Sequence, residues 1–160
     1  MHRFRWLFFL SWISISLLPG HACEAAPPPK PLKAVLWIGG FAHEFEQIAE
    51  RMVTALPKRL PVEFTIVRDG AFLEKPEAYQ LDLIVMNHCY KSAEGVLTDE
   101  QKEQLLSLVR GGVGVVAVHA SYYSFVKWNE FHELFGTRFV KHGKVDLRLI
   151  VRMADSQHPI

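Results

Sequence analysis

Eight residues whose side chains suit chemistry stand just after apolar runs: His43, Asp69, Asn87, His88, Cys89, His119, Ser121 and Tyr122. An imidazole changes charge near neutral pH, so it can take or return a proton, and its neutral form binds divalent metals. His119 follows Val116-Ala117-Val118 directly and precedes the small residues Ala120-Ser121. Burying such a group is costly unless it is paired or used, so His119 either works in a site or is bonded to backbone as a structural histidine. His88 is a second candidate, with an exposed loop position as its alternative. His43 is a third, set against a helix-start residue with its ring in solvent. Cys89 as a nucleophile would need a thiolate, a base and an oxyanion pocket. Neighbours on a strand point to opposite sides, so His119 rather than His88 would have to be that base. An inert buried thiol is the competing reading.

The elements that must carry these residues alternate between strands and helices. Ala34 to Ile38 is apolar throughout and ends at Gly39-Gly40, as a strand buried on both faces does. Phe45, Ile48, Ala49, Met52, Val53 and Leu56 recur at helical spacing, and Pro57 closes the helix. Val62, Phe64 and Ile66 alternate with polar residues in a second strand ending at Arg68-Asp69-Gly70, and Leu83 to Met86 is a third, apolar strand. Thr98-Asp99-Glu100-Gln101 has the form of a capping box opening a helix that stops at Gly111-Gly112. Val113 to Val118 is a fourth strand, expected to be central because it is so apolar. Trp128, Phe131, Leu134 and Phe135 give a short helix ending at Gly136, and Val145 to Val151 alternates as a fifth strand with one exposed face. The pattern predicts a mostly parallel sheet between helix layers, with no internal repeat. No helix follows the last strand, so the domain is expected to be incomplete at the C-terminus.

In such sheets the ligand crevice lies beyond the carboxyl ends of the strands. The rule gathers His43, Asp69, Asn87, His88, Cys89, His119, Ser121 and Tyr122 at one edge. Gly39-Gly40-Phe41-Ala42-His43 does not match GxGxxG, and GxxxxGK[ST] is absent, so neither phosphate cradle is supported. Tyr122 and Tyr123 suit ligand stacking, whereas Trp128, Phe131, Phe135 and Phe139 fit a packing face.

The N-terminus has a separate character. His2-Arg3-Phe4-Arg5 is followed by an apolar run from Trp6 to Leu18, too short to span a bilayer, then Pro19-Gly20 and the small residues Ala22, Ala25 and Ala26. This is the pattern of a secretory signal over residues 1–25, followed by a Pro-rich linker over 26–33 and the domain over 34–160. It implies export to the periplasm or outside the cell, with no membrane span. Cleavage after Ala22 would leave Cys23 first, the place of a lipid anchor, but Gly20 replaces the aliphatic residue a lipoprotein signal carries three positions earlier. With Arg3, Arg5 and Glu24 removed, the 18 basic and 17 acidic residues become 16 and 16, so no basic field argues for nucleic acid. Two cysteines are too few for a disulfide scaffold or a zinc site of CxxC pairs.

Gly39 to Phe45, Leu97 to Gln101, the run Gly111 to Ala120, Phe131-His132-Glu133-Leu134-Phe135-Gly136 and His158-Pro159-Ile160 together resemble the ThuA-like (trehalose utilisation) family. The resemblance covers nearly everything from Ala34 onward. It implies a fold similar to class I glutamine amidotransferases, a flavodoxin-like three-layer α/β sandwich, and a carbohydrate as small-molecule partner. Val118-His119-Ala120 takes the place of the amidotransferase cysteine, so glutamine amidotransfer is not expected. The expectation is an exported domain acting in the utilisation of trehalose or a related glycoside or keto-sugar. Catalysis would fall to His119 and His88, and binding to Gly40, His43, Asn87, Ser121 and Tyr122. The imidazoles act in acid/base chemistry or hold a divalent metal. The rival is a non-catalytic sugar-binding or interaction module, because a fold does not fix an activity.

Overall fold

The computed structural model describes residues 29–141, 143, 150 and 152–157. The N-terminal signal pattern, Cys23, nearly all of the expected fifth strand and the His-Pro-Ile end lie outside the described residues. Four strands form one parallel sheet: β1 (Leu32–Gly40), β2 (Val62–Val67), β3 (Leu83–Cys89) and β4 (Gly114–Ala117), in the order β2-β1-β3-β4. The chain winds outward from β1 to β2, then returns past β1 to place β3 on its other side. This doubly wound, flavodoxin-like order reverses at the β1/β3 boundary.

Strand alternation sends the side chains of the two central strands to opposite layers. Leu36 and Ile38 of β1 and Val85 and Cys89 of β3 pack with Phe45 and Ala49 of α1 (Phe45–Ala55). Val35, Trp37, Ile84 and Met86 face the other way, against Leu105 and Leu108 of α2 (Asp99–Arg110) and Phe72, Phe125 and Phe131. The result is an α/β/α sandwich. The capping box is present: the Gln101 amide N–H donates to Thr98 Oγ1 at 3.1 Å and the Thr98 N–H to Gln101 Oε1 at 3.1 Å. A short α3 (Asn129–Glu133) carries buried Phe131. Among the described residues no helix is long and apolar enough to cross a membrane.

The connection from β2 to β3, for which the sequence names no element, is two 3₁₀ segments, Gly70–Glu74 and Pro76–Gln80, broken where Pro76 removes a backbone donor. One expectation is corrected: the fourth strand is shorter than Val113 to Val118, and it is the last strand among the described residues.

Candidate functional site

The close approach of β1 to β3 at the reversal point dictates the paired glycines. Gly39 and Gly40 have φ of 141° and 90°, in the region where other residues are strained. A Cβ on Gly40 would strike the carbonyl of Cys89, and one on Gly39 the hydroxyl of Tyr90. That hydroxyl donates to the carbonyl oxygen of Arg68 at 3.2 Å, tying the end of β2 to the chain after β3. The Phe41 N–H donates to the Cys89 carbonyl at 3.1 Å, so the chain leaves β1 across the end of β3.

This exit carries Phe41, Ala42 and His43 towards a five-residue 3₁₀ turn, His119–Tyr123, that follows β4. The rings of His43 and His119 meet edge to face, with centroids 4.6 Å apart and planes at 64°. A second ring pair, Phe41 and Tyr123, joins the same two loops at 6.5 Å. His119 has φ of 51° and Ala42 φ of 78°, so both loops hold a non-glycine residue in the left-handed region. Strain of this kind persists where surrounding structure over-determines it, and it is frequent at binding and catalytic sites. His119 is exposed. The reading of a buried structural histidine therefore does not describe it, and the burial cost invoked from its preceding Val-Ala-Val run does not arise.

His88 lies elsewhere. It shares strand parity with Ile84 and Met86, which places it in the α2 layer, fully buried, with its ring 4.7 Å from Trp37 and 5.5 Å from Phe125. His88 Nδ1 lies 2.9 Å from Ser124 Oγ. Removal from water disfavours the imidazolium and pushes the His88 pKa down to about 3. The structure brings His43 and His119 together and separates His88 from them.

Two serines explain how the turn bearing His119 is fastened. The last backbone bond from the β4 side to β3 is the Val118 N–H to the Met86 carbonyl at 2.8 Å, and further along serine side chains meet the backbone groups of β3. The His88 N–H donates to Ser121 Oγ at 3.0 Å, and Ser121 Oγ donates to the Met86 carbonyl at 2.7 Å. The Tyr90 N–H donates to Ser124 Oγ at 2.9 Å. Ser121 is thus buried and occupied by backbone, which corrects its placing among binding residues. Asn87 shares parity with Val85 and Cys89, beneath the α1 side of the crevice. It is 2% exposed, and its Nδ2 has no hydrogen-bond partner among the described residues. Gly40 and Tyr122 are exposed at the edge. Cys89 is buried in the α1 layer, and burial pushes its thiol pKa up, away from the thiolate a nucleophile requires.

Sequence reasoning passed over Phe41, Ser124 and Tyr90. The Phe41-Ala42-His43 spacing beside Gly-Gly was a usable signal for the first. The serines gave none, because their role depends on where β4 stops. Phe139 was grouped with the packing aromatics, and that is corrected: Trp128, Phe131 and Phe135 join the α2-side core, whereas Phe139 meets Tyr122 at 6.2 Å and Tyr123 at 4.8 Å.

Two surface depressions, one along α2 at Asp99, Glu103 and Ser107 and one beside α3 at His132 and Arg138, include no residue of the carboxyl-edge loops. Among the described residues no group of three or more His, Cys, Asp or Glu side chains is placed to hold a metal ion.

The parallel, doubly wound sheet between helix layers defines an α/β domain of the flavodoxin-like class. The chain belongs to the ThuA family, described as trehalose utilisation, whose pattern it matches over residues 33–160. That membership supports a role related to carbohydrate utilisation in general. Among solved structures, a protein from Parabacteroides merdae described as ThuA-like is 25% identical, the match covering 64% of this chain and 37% of that one with a TM-score of 0.48. The chain thus matches little more than a third of that protein's length. No curated protein matches it.

Proposed function

We propose that the chain is an exported carbohydrate-utilisation domain in which His43 and His119 perform acid/base chemistry on a sugar of the trehalose or keto-sugar class. One observation carries this reading: the two imidazoles stand 4.6 Å apart on separate loops at the strand-order reversal. Two imidazoles in contact can divide the labour, one taking a proton as the other returns one. A keto-sugar offers a matching target, the acidic C–H beside its carbonyl. His119 takes that proton, and His43, protonated, donates to the oxygen that gains charge. A metal-assisted version would draw further ligands to the two histidines, and the chelator arm of the test below separates it from direct proton transfer. Export rests on the basic start and short apolar run before Pro19.

The test follows exchange of the C–H beside the carbonyl of a keto derivative of trehalose in deuterium oxide by NMR. His119→Ala and His43→Ala should each slow exchange by about 100-fold or more. Exchange unchanged in both variants overturns the proposal in favour of a binding module, and exchange abolished by chelator in the parent chain moves it to a metal. Intact mass of the protein from its own host tests export, which is overturned by a mature form still carrying Met1 to Leu18.

A further inference from the structure

Four aromatic rings run beside the histidine pair. Phe41 meets Tyr123 at 75°, Tyr123 meets Phe139 at 4.8 Å and 75°, and Phe139 meets Tyr122 at 6.2 Å. The series therefore begins two residues before His43 and ends three residues after His119. Tyr123 is anchored in the α1-side core, whereas Phe41 is 49% and Tyr122 38% exposed. Folding leaves apolar ring surface in water at the two ends of the series, and both ends belong to the loops that carry the imidazoles. Contact between Phe41 and Tyr123 holds those loops together independently of the histidines.

We infer that the ring series, through its exposed ends Phe41 and Tyr122, offers a stacking surface for the pyranose rings of a sugar beside His43 and His119. The inference rests on the carbohydrate reading above and adds the residues that select the ring. One face of a pyranose presents C–H groups while its hydroxyls point outward around the rim. An aromatic surface accepts the first and leaves the second hydrated or paired. The Tyr122 hydroxyl, at the wet end of the series, can bond a rim hydroxyl. The arrangement is that of a small-molecule site, in which apolar rings supply contact and a few polar groups fix orientation.

The probe is trehalose, observed by saturation-transfer difference NMR with irradiation confined to aromatic protons of the full chain. The parent chain is expected to transfer saturation to ring C–H protons. Phe41→Ala combined with Tyr122→Ala should weaken trehalose binding about tenfold, while Phe41→Tyr and Tyr122→Phe, which keep the ring faces, restore it. Circular dichroism and the melting temperature of each variant guard against a folding defect, and sedimentation against an interface between copies. Saturation transfer that is absent in the parent chain, or unchanged in the double alanine variant, overturns the subsite. So does a change of oligomeric state in place of lost binding. Ring-dependent binding of trehalose without α-proton exchange in any chain leaves the subsite standing and refutes the acid/base reading. Exchange that needs His119 but ignores both ring substitutions does the reverse.

Discussion

On the α1 side of the carboxyl edge, His43 and His119 lie exposed on two loops in contact with each other. On the α2 side, His88 is fully buried against Trp37 and Phe125 and bonded to Ser124. The same side chain has opposite fates only a few residues from the same strand ends. Two local facts decide this. Parity on β3 turns His88 inward with Ile84 and Met86, and the early end of β4 at Ala117 lets the chain curl outward at His119. The inner histidine is held neutral and serves the frame, whereas the outer pair is held in strained loops where water and ligand have access. The difference teaches that burial or exposure of a histidine at this edge is set by strand register and strand length, not by residue type.

The largest effect should come from the seam that both sides share. Gly40→Ala places a methyl group against the Cys89 carbonyl at a φ of 90°, and backbone cannot yield as a flexible side chain does. A loss of more than about 3 kcal/mol is expected in urea denaturation. Near-parental stability would show that the loop can leave the strand end, and that the histidine contact does not depend on the seam.

The next effect separates the two sides directly. His88→Ala empties space among Trp37, Tyr90 and Phe125 and strands Ser124, at a cost of about 2–4 kcal/mol. His43→Ala and His119→Ala, being exposed, should each change stability by no more than about 0.5 kcal/mol. The pH dependence sharpens the contrast. His88 has a folded pKa of about 3, below the 6.5 of the free imidazole, so between these values the unfolded chain binds the extra proton. Its contribution is fully present above 6.5 and is lost as pH falls toward about 3, with a slope of at most ~1.4 kcal/mol per pH unit. Stability measured from pH 7 to pH 4 should therefore fall more steeply in the parent chain than in His88→Leu. Parallel curves would mean that His88 is not the buried neutral group described.

Much of the frame was legible in the sequence because strand and helix periodicities are local. The apolar run Ala34 to Ile38, the Thr98 to Gln101 capping box and the Gly111-Gly112 stop lie in the elements they predicted. The placement of His43 and His119 at one edge followed from topology alone. What was not legible depended on distances between strands. Nothing in Val113 to Val118 says that pairing stops at Ala117 or that the strand ends the described sheet, and without that stop Ser121 and Ser124 cannot be recognised as stand-ins for strand pairing. Equally, His88 can be assigned a face only once the register of β3 is known, since a shift of one residue would have put Cys89 inward and His88 beside His119.

The serines allow a smaller break in the comparison. Ser124→Ala removes the acceptor for the Tyr90 N–H and the partner of His88 Nδ1, and should cost about 1–3 kcal/mol. Ser121→Ala leaves the His88 N–H unmet and takes one of two donors from the Met86 carbonyl, which keeps the Val118 N–H at 2.8 Å, for a similar or smaller loss. If the serines fasten the turn bearing His119, both variants should also slow exchange of the keto-sugar proton at saturating substrate. Full exchange in a destabilised variant would confine the serines to the frame.

The smallest expected effect is the most telling about the outer pair. His119 adopts φ of 51°, a conformation that costs a non-glycine residue about 1–2 kcal/mol and a glycine almost nothing. Glycine in turn adds freedom to the unfolded chain, which offsets part of the relief. His119→Gly should therefore leave stability unchanged or raise it by up to about 1 kcal/mol, while His119→Ala, which keeps the strain, brings no such gain. Both variants lose the imidazole and should lose proton exchange alike. Chemical denaturation of the two variants beside the parent measures the difference, and a loss above about 1 kcal/mol in His119→Gly would mean that the ring contributes packing here, as His88 does on the other side. The opposite result, a chain made no less stable and yet inactive by one substitution, is the signature of a residue kept in a strained position for its chemistry and not for the fold.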